Sequence, residues 1–313
     1  MSKTVLLFPG QGAQHVGMGK DLADKYPEAK AVFDKADELL GFGLSKLCFE
    51  GPEDELNRTD VSQPAILAHS WAVVAALNTH KKGRELLQSA SCTAGLSLGE
   101  YSALAAAGAV SWEDALALVR ARGRYMQDAC DASPSTMASI VGLDDEKLAE
   151  AIKPAQESGI VVLANFNAPG QVAISGEKAA VEEAMKLAKA AGAKLTVTLS
   201  VAGAFHSPLM EPARERLAAE IETTTFHAPR IGVMANVDAI EHNVPAKLKM
   251  NLVQQLTAPV LWAKSMQSLV DQGFENFIEI GPGNVLAGLL KRMARSANRV
   301  SIGKAEELAA AIE

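Results

Sequence analysis

Apolar positions open the chain as an unbroken run, Val5-Leu6-Leu7-Phe8, and with Thr4 they predict a short strand. Pro9-Gly10-Gln11-Gly12-Ala13-Gln14 then breaks the pattern with a glycine-rich loop. Helical spacing follows over Lys20 to Leu40 and again over Ser62 to Asn78. Val61 to His80 is the longest stretch free of charge. It carries Ser62, Gln63, Pro64, His69, Asn78 and His80, so it predicts a buried amphipathic helix and not a membrane span. Ala90 to Ala94 reads as a short buried strand, Glu100 to Val110 as an Ala/Leu-rich helix, and Trp112 to about Ala129 as another helix. Ser111, with Asp114 three residues on, is a capping-box start for that last helix.

From Met137 the texture changes. Strands are predicted over Met137 to Leu143, Ile160 to Asn165, Gln171 to Ser175 and Lys194 to Val201, with helices over Asp144 to Glu157 and Glu177 to Ala191. Asn167-Ala168-Pro169-Gly170 joins the two inner strands by a turn. Strand-helix-strand-strand-helix-strand is the ferredoxin-like (βαββαβ) order, which predicts a small subdomain over 135–202 inserted into a larger α/β domain. That larger domain is then discontinuous, 1–134 and 203–313, with strands at Ile231 to Asn236 and Asn276 to Ile280 and a helix at Asn284 to Arg295.

Thirty basic against 37 acidic residues give a net charge of −7, which argues against general nucleic-acid binding. Cys48, Cys92 and Cys130 are too few and too scattered for a disulfide framework or a metal cage, and are expected to be buried thiols in a reducing compartment. The apolar run at the N-terminus is too short for a secretory signal. A soluble, cytoplasmic, monomeric enzyme is the expectation, with no metal.

Chemistry concentrates in Gly95-Leu96-Ser97-Leu98-Gly99, set between the predicted strand and helix. A serine hydroxyl is a weak nucleophile, and it needs a base, exposure and donors for an oxyanion. Glycines two residues to either side let a strand turn sharply into a helix and lift the hydroxyl clear, as in the nucleophile elbow of α/β-hydrolases. The larger domain is therefore expected to be α/β-hydrolase-like. The plainer alternative is a tight turn with no chemistry.

Among six histidines, His69 falls in a helical apolar stripe and is expected in the core, His15 could line a pocket, and His80, His227 and His242 sit in polar or turn-like surroundings and are expected at the surface. His206 stands in Gly203-Ala204-Phe205-His206-Ser207, where the chain re-enters the larger domain, and is the candidate base; the alternative is a structural histidine. The Leu98 and Gln11 amides are candidate oxyanion donors. Gly10-x-Gly12 lacks the third glycine of a dinucleotide loop, and Gly281-Pro282-Gly283 is better explained as a tight strand-to-helix connection. Arg120 and Arg124 fall on the polar side of their helix, but Arg122 falls in the apolar stripe with Leu118, Val119, Tyr125 and Met126. A buried guanidinium needs an anion, either an internal Asp or Glu or a substrate carboxylate.

Together, Gly10-Gln11-Gly12-Ala13-Gln14, Gly95-Leu96-Ser97-Leu98-Gly99-Glu100-Tyr101-Ser102-Ala103-Leu104, Arg122-Gly123, Gly203-Ala204-Phe205-His206-Ser207 and Glu279-Ile280-Gly281-Pro282-Gly283 resemble the bacterial malonyl-CoA:acyl carrier protein transacylases over essentially the whole chain. The resemblance implies Ser97 as nucleophile, His206 as base, Arg122 holding the malonyl carboxylate, and the Gln11 and Leu98 amides as oxyanion hole. It implies Gln255 as the residue whose main-chain carbonyl orients His206, and places Asn165 and Phe205 near the substrate. Malonyl-CoA is then a substrate, no cofactor is needed, and acyl carrier protein is the partner; Lys291, Arg292 and Arg295, on one helical stretch, are candidate docking charges, with an ordinary solvated face as the plainer reading. Many members have histidine immediately before the nucleophile, where this chain has Leu96. Competing expectations are an esterase or thioesterase with a late acid completing a triad, an acyltransferase feeding polyketide synthesis, and a non-catalytic carrier-binding protein.

Overall fold

The N-terminal strand β1 (Lys3–Phe8) sends Leu6 and Phe8 into one core and Val5 and Leu7 into another. A strand buried on both faces belongs inside a parallel sheet with helices on each side. The computed structural model describes residues 3–313; positions 1 and 2, the start of the expected larger domain, lie outside the described residues. The remaining strands are β2 (Ala90–Gly95), β3 (Ser135–Val141), β4 (Val161–Ala168), β5 (Gln171–Glu177), β6 (Leu195–Thr198), β7 (Gly232–Met234), β8 (Glu241–His242), β9 (Phe274–Ile280) and β10 (Asn298–Ile302).

Two sheets result, a mixed α/β architecture. The larger has order β10-β9-β1-β2-β7-β8, parallel except for β8. Helices Thr59–Thr79 and Trp112–Ala132 cover one face, and Trp262–Asp271 and Val285–Met293 the other. The smaller sheet is antiparallel with order β4-β5-β3-β6, and closes its own core with Ile140, Leu148, Val172, Ile174 and Val181. Gly170, at φ 67°, makes the β4–β5 turn where the sequence places it.

Several elements differ from expectation for identifiable reasons. The helical stretch from Lys20 breaks at Tyr26, which is extended ahead of Pro27, giving Lys20–Lys25 and Pro27–Leu40. Helix Thr59–Thr79 is not amphipathic; all but Trp71, Ala75, Asn78 and Thr79 are buried, because neighbours enclose it on every side. Gly108, in the left-handed region, ends the helix after the serine at Ala107 instead of Val110. The helix from Asp145 stops at Ile152, since Pro154 has no N–H for the α ladder, and a tighter turn runs over Lys153–Ser158. The strand expected at Ile231 to Asn236 pairs only over Gly232–Met234, which frees Asn236 for the site.

Candidate active site

Ser97 follows β2 at the carboxyl edge of the larger sheet, on the turn into helix Gly99–Ala107, and its φ is 52°. Residues with a Cβ avoid that region, so surrounding contacts must hold it. A Cβ on Gly95 would come within 2.0 Å of the Gly99 backbone, and one on Gly99 within 2.1 Å of the Phe8 carbonyl oxygen. Both glycines are therefore required for strand, turn and β1 to meet. Asn236, just past the adjacent strand β7, accepts the Ser97 N–H through Oδ1 at 2.6 Å and donates from Nδ2 to the Gly95 carbonyl at 2.7 Å.

His206 Nε2 lies 2.8 Å from Ser97 Oγ, and its Nδ1 lies 2.8 Å from the Gln255 carbonyl oxygen. A carbonyl can only accept, so Nδ1 carries the hydrogen and Nε2 offers its lone pair to the serine hydroxyl. Burial, assisted by the Arg122 charge, pushes the imidazole down from 6.5 to about 4, so it stands neutral near pH 7. The smaller sheet sets its position. Ser175 Oγ on β5 donates to the Phe205 carbonyl at 2.6 Å, and Ser135 Oγ on β3 accepts the Ala204 N–H at 3.1 Å. Among the described residues no acid meets Nδ1, which the Gln255 carbonyl occupies, so Ser97 and His206 stand as a serine–histidine pair without a third, acidic member.

Arg122 is 1% exposed. Its Nη1 donates to Gln63 Oε1 at 2.6 Å, and its Nη2 to Ser97 Oγ at 3.0 Å and Gln255 Oε1 at 3.1 Å. Among the described residues no Asp or Glu forms an ion pair with it, whereas Arg120 pairs with Asp60 at 2.8 Å and is not the simply solvated group its helix position suggests. Arg122 Nε has no partner among the described residues. Neutral amides around a buried cation leave room for an incoming anion.

A cleft of roughly 150 Å³ opens over these groups, with Gln11, Leu96, Asn165, Leu199 and Phe205 among its walls. Gly10 packs so closely on the Leu96 carbonyl that a Cβ would stand 2.4 Å from its oxygen, which brings Gln11 beside the nucleophile. Leu98 lies just ahead of the helix, where its amide falls outside the helical ladder. A larger groove, about 820 Å³, lies between helices Glu211–Thr223 and Pro245–Gln255 and contains neither Ser97 nor His206.

His69 is buried, as expected. His15 does not line the cleft, and His242 is not a free surface group, since it pairs with Asp238 at 2.9 Å. Gly281-Pro282-Gly283 is a connection: a Cβ on Gly281 would stand 2.5 Å from Ser70 Oγ, and Glu279 already accepts the Leu286 and Ala287 amides at 3.0 and 2.9 Å. Lys291 and Arg292 are exposed on their helix, but it ends at Met293 and leaves Arg295 beyond it. Asn236, Gln63 and Glu100 were not anticipated as site residues. Gln63, a long polar side chain within the longest uncharged stretch of the sequence, is the one signal that pointed toward the site.

A serine at a strand-to-helix elbow, hydrogen-bonded to a neutral histidine and to a buried guanidinium that forms no ion pair among the described residues, is an arrangement that can support acyl transfer. Residues 5–310 match the family described as acyl transferase domain. The malonyl CoA-acyl carrier protein transacylase of Bacillus subtilis is 44% identical, covering 100% of this chain and 97% of its own, and that of Escherichia coli K12 is 42% identical over 100% of both. Among solved structures, the acyl-carrier-protein-S-malonyltransferase of Bartonella henselae superposes with a TM-score of 0.94 at 39% identity, covering 99% and 98% of the two chains. A malonyl-transacylase solved with a type II polyketide synthase acyl carrier protein gives 0.93 at 40% identity, covering 99% of each. The chain belongs to the acyl transferase family and, within it, to the malonyl CoA-acyl carrier protein transacylases.

Proposed function

We propose that the protein moves a malonyl group from malonyl-CoA to the phosphopantetheine thiol of acyl carrier protein through an ester on Ser97, supplying fatty acid synthesis. The observation that carries this is Arg122, buried, unpaired by any carboxylate among the described residues, and 3.0 Å from the nucleophile. Ser97 gives its proton to His206 Nε2 as its oxygen attacks the thioester carbonyl. The amides of Gln11 and Leu98 receive the oxyanion, and the Gln255 carbonyl holds the imidazolium by Nδ1. Coenzyme A leaves with the proton, and the carrier thiol repeats the sequence in reverse. Arg122 holds the malonyl carboxylate in a bidentate pair, while Asn165 and Phe205 bound the acyl group.

The smaller sheet's strand order supports a ferredoxin-like unit over 135–202, and the elbow on a largely parallel sheet supports a hydrolase-like larger domain over 1–134 and 203–313. The protein is expected to work as a cytoplasmic monomer without a cofactor. Intact-mass measurement after mixing with malonyl-CoA and with acetyl-CoA tests the function. A malonyl adduct on the wild type, absent from Ser97→Ala and much stronger than any acetyl adduct, is expected; its persistence in Ser97→Ala defeats the proposal.

A further inference from the structure

Glu100 is a buried carboxylate that the transfer itself does not use. It is 2% exposed and forms no ion pair among the described residues. The charged groups facing it are Arg122, from helix Trp112–Ala132, and Asp238, from the segment after β7. A lone buried carboxylate is costly, and an apolar residue of similar size would avoid the cost. Its contacts are specific: Oε2 accepts the Asn236 backbone N–H at 3.0 Å and Gln255 Nε2 at 2.8 Å.

Those two partners reach the nucleophile, the histidine and the guanidinium. Asn236 Oδ1 accepts the Ser97 N–H at 2.6 Å, and Gln255 Nε2 donates to the Ser97 carbonyl at 3.1 Å. Gln255 also accepts His206 Nδ1 on its carbonyl at 2.8 Å and Arg122 Nη2 on Oε1 at 3.1 Å. We propose that Glu100 is a positioning residue for acyl transfer: one carboxylate oxygen, acting through Asn236 and Gln255, fixes nucleophile, base and guanidinium in a single geometry. The oxygen matters as an acceptor at a set reach from helix Gly99–Ala107, one turn beyond the serine. Near-attack alignment is lost with small displacements, whereas Gln63 still holds Arg122 at 2.6 Å, so loosening this hub slows the chemical step far more than it weakens substrate binding.

The proposal rests on Ser97 as the acyl acceptor, so Ser97→Ala is included as the control. Malonylation is followed by rapid-mix intact mass over a range of malonyl-CoA concentrations, with the folded fraction fixed by circular dichroism. Glu100→Asp withdraws the oxygen by one methylene and keeps the charge. It is expected to slow the saturating rate about tenfold or more, while the half-saturating concentration stays within about twofold. Glu100→Gln keeps an acceptor oxygen at the original reach and is expected to stay within about threefold of wild type. A purely structural role leaves the rate per folded molecule unchanged. A wild-type rate in Glu100→Asp, or a Glu100→Gln as slow as Glu100→Asp, overturns the proposal. Should Glu100→Asp not fold, Glu100→Met, which offers no acceptor oxygen at that reach, carries the same expectation, and a wild-type rate there overturns it. A malonyl adduct on Ser97→Ala would instead defeat the underlying function.

Discussion

Arg122 Nη2 stands 3.0 Å from Ser97 Oγ, so the buried cation and the nucleophile touch before any substrate arrives. The serine oxygen accepts from the guanidinium on one side and donates to His206 Nε2 on the other, at 2.8 Å. A malonyl carboxylate would give this cation the counter-charge that Gln63 and Gln255, both neutral, do not supply.

Arg122→Ala is expected to lower kcat/KM for malonyl-CoA by on the order of 10²–10³, as losing a desolvated charge pair does. Acetyl-CoA offers no carboxylate, so the malonyl-to-acetyl ratio should collapse. Coenzyme A release with each donor is the measurement. An equal fall for both donors would mean that Arg122 supports the site without selecting the acid.

The pH profile of acylation follows from His206. Its pKa is depressed from 6.5 to about 4, chiefly by burial and next by Arg122. The neutral base form therefore persists as pH falls from 7 to 5, and the single-turnover rate should hold until pH nears 4. Arg122→Ala removes one cause of the depression and should move this acid limb upward. A midpoint near the ordinary histidine value in the wild type would contradict the buried, neutral imidazole.

Glu100 gives a pH-dependent stability of the opposite sign. Burial raises its pKa from 4.5 to about 7, so its contribution is complete below 4.5 and is lost as pH rises through about 7. Glu100→Gln does not titrate. The stability of Glu100→Gln relative to wild type should therefore increase by about 3 kcal/mol between pH 4.5 and 8, read by urea unfolding. A difference that does not vary with pH would place the carboxylate in a polar setting.

Gly95→Ala asks whether the elbow tolerates a side chain. The added Cβ would meet the Gly99 backbone at 2.0 Å, with no flexible neighbour to give way. A loss of about 3 kcal/mol or more is expected, together with loss of malonylation. Wild-type thermal stability would show that the turn has slack.

Ser97, His206 and Arg122 were legible because each breaks a local rule of its own segment. The serine sits between glycines, the histidine in a glycine-bearing re-entry loop, and the arginine in an apolar stripe. The strands of the smaller sheet were legible for a different reason, since alternation and a Pro-Gly turn are short-range signals. Helix ends were less so, because breaks at Tyr26 and Pro154 depend on one residue overriding a longer periodic run.

Asn236 and Glu100 show where a sequence stops. Asn236 lies 139 positions from the serine whose amide it accepts, and nothing in its own neighbourhood marks it. Glu100 reads as an ordinary first-turn acid of a helix, and only packing reveals that it is buried and turned toward Gln255. By itself the sequence determined which residue types could perform acyl transfer and the order of elements that carry them. The tertiary structure decided which were brought within hydrogen-bond reach. That decision belongs to the parallel sheet, whose adjacent strands β1, β2 and β7 end side by side and deliver Gln11, Ser97 and Asn236 from distant parts of the chain to one edge.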